Sequence, residues 1–153
     1  MGPSGPGMDL HAGMAFLHLG VAAVWTGSVL FLSWGVLPTV QGGSIGADSL
    51  ETILDRFLAV TRLSALVLLV SGGLMASRYG GGLTATTPGQ LVLGMTVLWL
   101  LLTGVSEAAG RKLRTGLESE STGTAVARSR RRFDVAGVLA VLLLIDAGLL
   151  SVL

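Results

Sequence analysis

His11-Ala-Gly-Met-Ala-Phe-Leu-His18-Leu-Gly-Val-Ala-Ala-Val-Trp25, continuing without a charge to Pro38, is the stretch that decides how this chain folds. It is long enough to cross a bilayer, for which about 20 apolar residues suffice, yet it contains both histidines of the protein. His11, His18 and Trp25 recur at heptad spacing and so stack along one side of a helix. Gly13, Gly20 and Gly27 recur at the same interval, two positions on, which places them roughly 200° round the helix axis. One face carries imidazole and indole, and the opposite face is notched to receive a neighbour. An inert anchor has no use for the first face.

Composition sets the environment. Of 153 residues, 51% are hydrophobic and 12% charged, and the mean hydropathy is +0.76. These values place the chain among integral membrane proteins, with the lipid bilayer as its first partner. Cysteine is absent, which excludes disulfides, thiolate metal sites and cysteine nucleophiles. A net charge of +1 gives no basis for a nucleic-acid partner. The lead Met1-Gly-Pro-Ser-Gly-Pro-Gly7 has no basic n-region, and no Ala-x-Ala cleavage pattern follows the first segment, so that segment is expected to be retained. There is no nucleotide motif. A binding or transport protein is expected rather than an enzyme or an autonomous pump.

The remaining chain divides into three more helices. The first segment is expected to end at Pro38, followed by a Gly-rich loop. Asp48 with Glu51 reads as the N-cap and third position of a capping box that opens the second helix. The uncharged part of that helix, from Leu63 to Ser77, is too short to span alone, so Arg62 must lie at membrane depth. Arg78-Tyr-Gly-Gly-Gly-Leu-Thr-Ala-Thr-Thr87 is a turn, and Thr87-Pro88-Gly89-Gln90 starts the third helix. A polar loop, Glu118 to Thr124, precedes Arg128-Ser-Arg-Arg-Arg132 and the last helix. The expectation is an all-α, up-down four-helix membrane bundle, one domain over residues 1–153, with helices at about 11–37, 49–78, 88–115 and 125–152.

Basic residues set the orientation. Seven of the ten Lys and Arg lie between Arg111 and Arg132, so the loop at 110–132 is expected in the cytoplasm, with both termini outside a plasma membrane. Arg62 and Glu107 then share a level near the inner boundary on antiparallel neighbours and read as a locking or snorkelled ion pair, with proton or ion traffic as the alternative. Asp146 lies about 21 Å from Arg132 along its helix, well inside the hydrocarbon. It is expected either as a hydrogen-bonded carboxyl, with Trp25, His18 or a backbone group as donor, or as part of a site. Trp25 and Trp99 lie too deep for the interfacial aromatic belt, where Tyr79 and Trp34 fit.

Every histidine, and every methionine after the first, falls in the predicted outer half or just outside it. Met8, His11, Met14 and His18 open the first helix, Met75 ends the second, and Met95 lies two turns into the third. Thioether and imidazole are the donors that Cu(I) prefers, and a His/Met pair is also an axial set for haem iron. Methionine also fills irregular gaps in cores, so the uncharged imidazole of His18 within a span is the sharper signal.

His18-Leu-Gly-Val-Ala-Ala-Val-Trp25-Thr-Gly-Ser-Val-Leu-Phe31, in a helix closing at Leu37-Pro38, resembles the first-helix signature of the copper-resistance D (CopD-type) membrane domain. In that signature a histidine is followed by Trp-x-Gly and a closing proline. Arg56-Phe57, Arg62 and Ser71-Gly72-Gly73-Leu74 are similar to the second helix of the same domain. The resemblance implies a four-helix unit associated with copper uptake or resistance. A related group, the haem-binding protoporphyrinogen oxidases, has a first-helix histidine that maps onto His18, or less well onto His11. Its third-helix lysine has no counterpart here, because Lys112 lies at the cytoplasmic end. Three readings follow. In the first, copper is bound or transported by His18, Met14, Met75 and Met95, with His11 at the entrance. In the second, a haem b is held by His18 as axial ligand, with Trp25 and Asp146 beside it. In the third, the chain is an accessory subunit that packs through its glycine faces on a larger membrane complex or on its own copies.

Overall fold

In hydrocarbon every backbone N–H and C=O must be satisfied within the protein, and a chain of long apolar segments meets that demand by becoming helical. The computed structural model describes residues 6–77 and 82–152, with side chains from residue 12 onward. The elements are α1 (Pro6–Leu30), a π-helical segment (Phe31–Val36), α2 (Leu37–Gln41), α3 (Ala47–Ala76), α4 (Thr87–Ser119) and α5 (Thr122–Ser151). Among the described residues there are four helical runs long and apolar enough to cross a membrane, the first running through α1, the π segment and α2. Packing runs in order round the bundle, α1 on α3, α3 on α4, α4 on α5 and α5 back on α1.

The first span does not stop at Pro38. That proline occupies the first turn of α2 and the helix continues to Gln41. The π segment makes this possible. Proline lacks an N–H, and its ring collides with the carbonyl four residues back in a regular helix. The wider π turn moves that carbonyl out of the way, and the Leu37 N–H reaches back to Leu32 O instead. The bulge also turns Ser33 inward, where its hydroxyl donates to Phe133 O on α5 at 2.9 Å. Trp34 lies over Gly137 of α5, where an added Cβ would come within 3.2 Å of the indole.

Helix ends depart from expectation in three more places. The N-cap of α3 is Gly46, without a side-chain cap, and Asp48 sits in the first turn. There it faces the positive end of the helix dipole, a favourable position for a carboxylate that closes no capping box. The cap of α4 is Thr86 rather than Thr87; its hydroxyl accepts from Gly89 N at 3.2 Å, and Gln90 Nε2 donates back to Thr84 O. The polar loop expected over Glu118 to Thr124 contracts to Glu120 and Ser121, with Ser121 capping α5. Gly116 allows the close approach, since a Cβ there would lie 2.8 Å from the Ala125 Cβ and 3.2 Å from its Cα. Arg128 pairs with Glu120 across the same turn.

The core is uneven along the bundle. Trp25, Val29, Leu32 and Leu37 pack with Leu50, Leu54 and Phe57 of α3, Leu102 and Leu113 of α4, and Val126, Phe133 and Ala140 of α5. The Phe57 and Phe133 rings meet at 6.2 Å between centroids, tilted by 59°. All of this lies in the half that carries the arginine-rich turn. In the other half α1 has no buried residue among those described before Trp25, α4 has none between Gln90 and Leu101, and α5 has none beyond Leu143.

Because the obstacle at Gly116 includes backbone, Gly116→Ala should lower stability by about 1–3 kcal/mol, the usual cost of overpacking. Ala125→Gly in the same chain should recover part of that loss. Thermal unfolding in detergent of the two variants and the wild type measures both effects.

Candidate metal centre

His18 is held in the seam between α1 and α3. Its Nδ1 lies 2.7 Å from the Ser71 hydroxyl oxygen, and the same oxygen lies 2.7 Å from the carbonyl of Val67, one turn back on α3. Serine serves this seam well, because a hydroxyl in a helix can bond its own carbonyl at i−4 and still offer a lone pair to a neighbour. Beside it, Gly72 gives the ring room: an added Cβ would meet the His18 Cε1 at 3.1 Å. Imidazole, hydroxyl and glycine thus fix the antiparallel register of α1 on α3.

That register places the methionines. Met14 precedes His18 by one turn, and Met75 follows Ser71 by one turn, so each lies on the same face as its partner. In antiparallel helices those two turns lead the same way, away from the packed core, and both side chains are half-buried. Met95 comes from α4. The Arg62–Glu107 pair and the Leu58 contact at Gly110 set the α3/α4 register, which puts Met95 at the level of Met75. The His11 side chain, like that of Met8, lies outside the described residues, as does Tyr79.

The other expected site residues lie on different seams. Trp25 is fully buried in the core, with no hydrogen-bond partner for its Nε1 among the described residues. Asp146 is on α5 facing α4, its Oδ2 3.6 Å from where a Gly94 Cβ would stand. That oxygen is buried and accepts no hydrogen bond among the described residues, so the expected donation from Trp25 or His18 does not form. Trp99 Nε1 on α4 is likewise buried and unmatched. His18, Trp25 and Asp146 therefore do not close on one point through hydrogen bonds.

Arg62 and Glu107 form the expected lock, Nε to Oε1 at 2.8 Å and Nη2 to Oε2 at 3.1 Å. The two parallel bonds are the fork geometry that suits guanidinium and carboxylate. Arg114 continues the ladder to Asp55 at 3.2 Å and Glu51 at 3.9 Å. Arg130 bonds Gln41, and Arg132 donates to Ala108 O at 3.3 Å. These contacts staple the end opposite His18.

Among the described residues no three of His, Cys, Asp or Glu converge. The side chains that could act as donors at the level of His18 and one turn beyond it are one imidazole and thioethers, residue types that suit a soft monovalent ion better than a hard or borderline divalent one. One turn inward, Gly20, Val21, Val24, Val60, Leu63, Ser64 and Val67 line a groove of about 310 Å³ between α1 and α3. Its walls are almost wholly apolar. Sequence reasoning reached His18 and the methionines but assigned no site role to Ser71 and Gly72. Two small residues side by side near the end of α3 were the available signal.

These features define a multi-pass α-helical membrane protein. The chain belongs to the copper resistance protein D family, whose model matches residues 51–150. The matched stretch runs from the first turns of α3 almost to the end of α5. It includes Arg62, Ser71, Met75, Met95, Glu107 and Asp146 and leaves Met14, His18 and Trp25 outside it. No curated protein and no solved structure matches the chain.

If the ion pair locks α3 to α4, Arg62→Glu or Glu107→Arg alone should lower the melting temperature in detergent. The double charge swap should recover most of the loss. Equal losses that simply add in the double variant would show that the two side chains do not act as a pair.

Proposed function

We propose that this protein binds copper as Cu(I) between α1 and α3, with His18 as the nitrogen donor and Met14 and Met75 as thioether donors. Met95 supplies a further thioether from α4, and His11 stands nearer the end of α1. The observation that carries the reading is the His18–Ser71 contact. It brings the histidine of α1 against α3, and one turn on from that contact along each antiparallel helix the sequence supplies Met14 and Met75. Membership of the copper resistance protein D family supports copper as the cargo. With seven of the ten basic residues at the opposite end, we orient that end to the cytoplasm of a plasma membrane and the donor cluster outward. The thinner packing of that half leaves the methionines reachable, and copper movement would follow a gradient or a partner, since no nucleotide motif is present.

A second reading has its own support. The apolar groove one turn from His18 offers a hydrophobic wall beside an imidazole, which suits one face of a haem b with His18 as axial ligand. A bound haem would supply one-electron chemistry; the chain would supply the axial nitrogen and exclude water from that face.

Titration of the purified protein with Cu(I) against a chromophoric chelator separates the two. Stoichiometric copper, abolished in His18→Ala and weakened in the Met14→Leu/Met75→Leu double variant, is the expected result. A Soret band that disappears in His18→Ala, with no copper bound, would replace the copper reading with haem.

A further inference from the structure

The contacts around Ser71 specify which nitrogen of His18 carries the proton. A serine hydroxyl has one hydrogen and two lone pairs. Ser71 Oγ has two close neighbours, the Val67 carbonyl oxygen at 2.7 Å and His18 Nδ1 at 2.7 Å. The carbonyl can only accept. Were the hydroxyl hydrogen turned to Nδ1, two oxygen lone pairs would face each other at 2.7 Å with nothing between them. With the Ser71 hydroxyl donating to Val67 O, the short contact to Nδ1 requires that Nδ1 donate to Oγ. Both contacts are then hydrogen bonds, and only then.

We infer that Ser71 is a positioning residue that holds neutral His18 as the Nδ1–H tautomer and so makes Nε2 the atom offered to an incoming cation. The tautomer of an imidazole is set by the bond its other nitrogen makes, and partners of this kind orient ligating histidines. Gly72 adds the steric half of the device. Its missing Cβ leaves the 3.1 Å approach to Cε1, the carbon between the two ring nitrogens, so the ring lies against α3 without being turned off Ser71. The chemistry that this arrangement recognises is a soft cation able to take one sp² nitrogen together with thioether sulfur. The role assigned to Nε2 rests on the copper reading above; the tautomer does not.

Two measurements test it, and they fail separately. In metal-free full-length protein with ¹⁵N-labelled histidine, the His18 spectrum should show a protonated Nδ1 and a bare Nε2. Ser71→Ala should shift the ring toward a mixture of tautomers, and Ser71→Thr, which keeps the hydroxyl and its bond to the i−4 carbonyl, should restore the wild-type pattern. A protonated Nε2 in the wild type, or an unchanged spectrum in Ser71→Ala, overturns the inference whether or not copper binds. In the second measurement, Cu(I) affinity should fall about 10–100-fold in Ser71→Ala, the usual loss for such a partner, and recover in Ser71→Thr. Absence of copper binding in the wild type would overturn the copper reading, leaving the spectrum to decide the tautomer. Normal affinity in Ser71→Ala, with wild-type copper bound through His18, would refute the positioning role.

Discussion

A polar side chain in hydrocarbon can be satisfied by its own helix or by the helix next to it, and the hydroxyls of this bundle mostly use the first solution, although Thr61 and Ser106 find no partner among the described residues. Thr26, Ser28, Thr96, Thr103 and Ser129 all turn their hydroxyls back onto carbonyls three or four residues away. Such bonds consume donors without saying anything about neighbours. Side chains that cross a seam therefore carry the register: His18 to Ser71, Arg62 to Glu107 and Ser33 to the Phe133 carbonyl within the spans, with Arg114, Arg130 and Arg132 adding contacts at the arginine-rich end. Apolar surfaces slide past one another in lipid with little penalty, so these directional contacts and the small-residue notches determine which turn meets which.

The two ends of the bundle are built on different principles. At the arginine-rich end, Gly116 and Ala125 bring α4 and α5 into close contact, and Arg114, Arg128 and Arg130 tie the helices together. At the His18 end the helices bury little, and the polar atoms of Trp99 and Asp146 remain unmatched among the described residues. In the copper reading the seam of α1 and α3, where the His18–Ser71 bond gives the loose half a defined point, supplies His18, Met14 and Met75, and α4 adds Met95.

The family match and the site fall on partly different residues. The matched stretch contains Ser71, Gly72 and Met75 but not His18, so the α3 side of the seam lies inside it and the imidazole outside. The pairing of the two is a property of the folded chain, visible only when α1 is laid on α3.

Much was legible from residue order. The four spans follow from apolar length, and the level shared by Arg62 and Glu107 follows from the rise per residue on antiparallel helices. Heptad spacing put His18 and Trp25 on one face of the first helix. What residue order left open was which seam each polar group would enter. Trp25 went into the core, Asp146 went against Gly94, and His18 alone found a partner on α3. Helix ends were also open. Pro38 reads as a terminus unless a π turn widens the helix ahead of it, and the Glu118 to Thr124 loop reads as long unless Gly116 lets two helices nearly touch. Sequence by itself determined the number of spans and the supply of imidazole and thioether side chains, because those depend on length and residue type. The tertiary structure decided the register and the imidazole's partner, because both depend on distances between helices that periodicity does not encode.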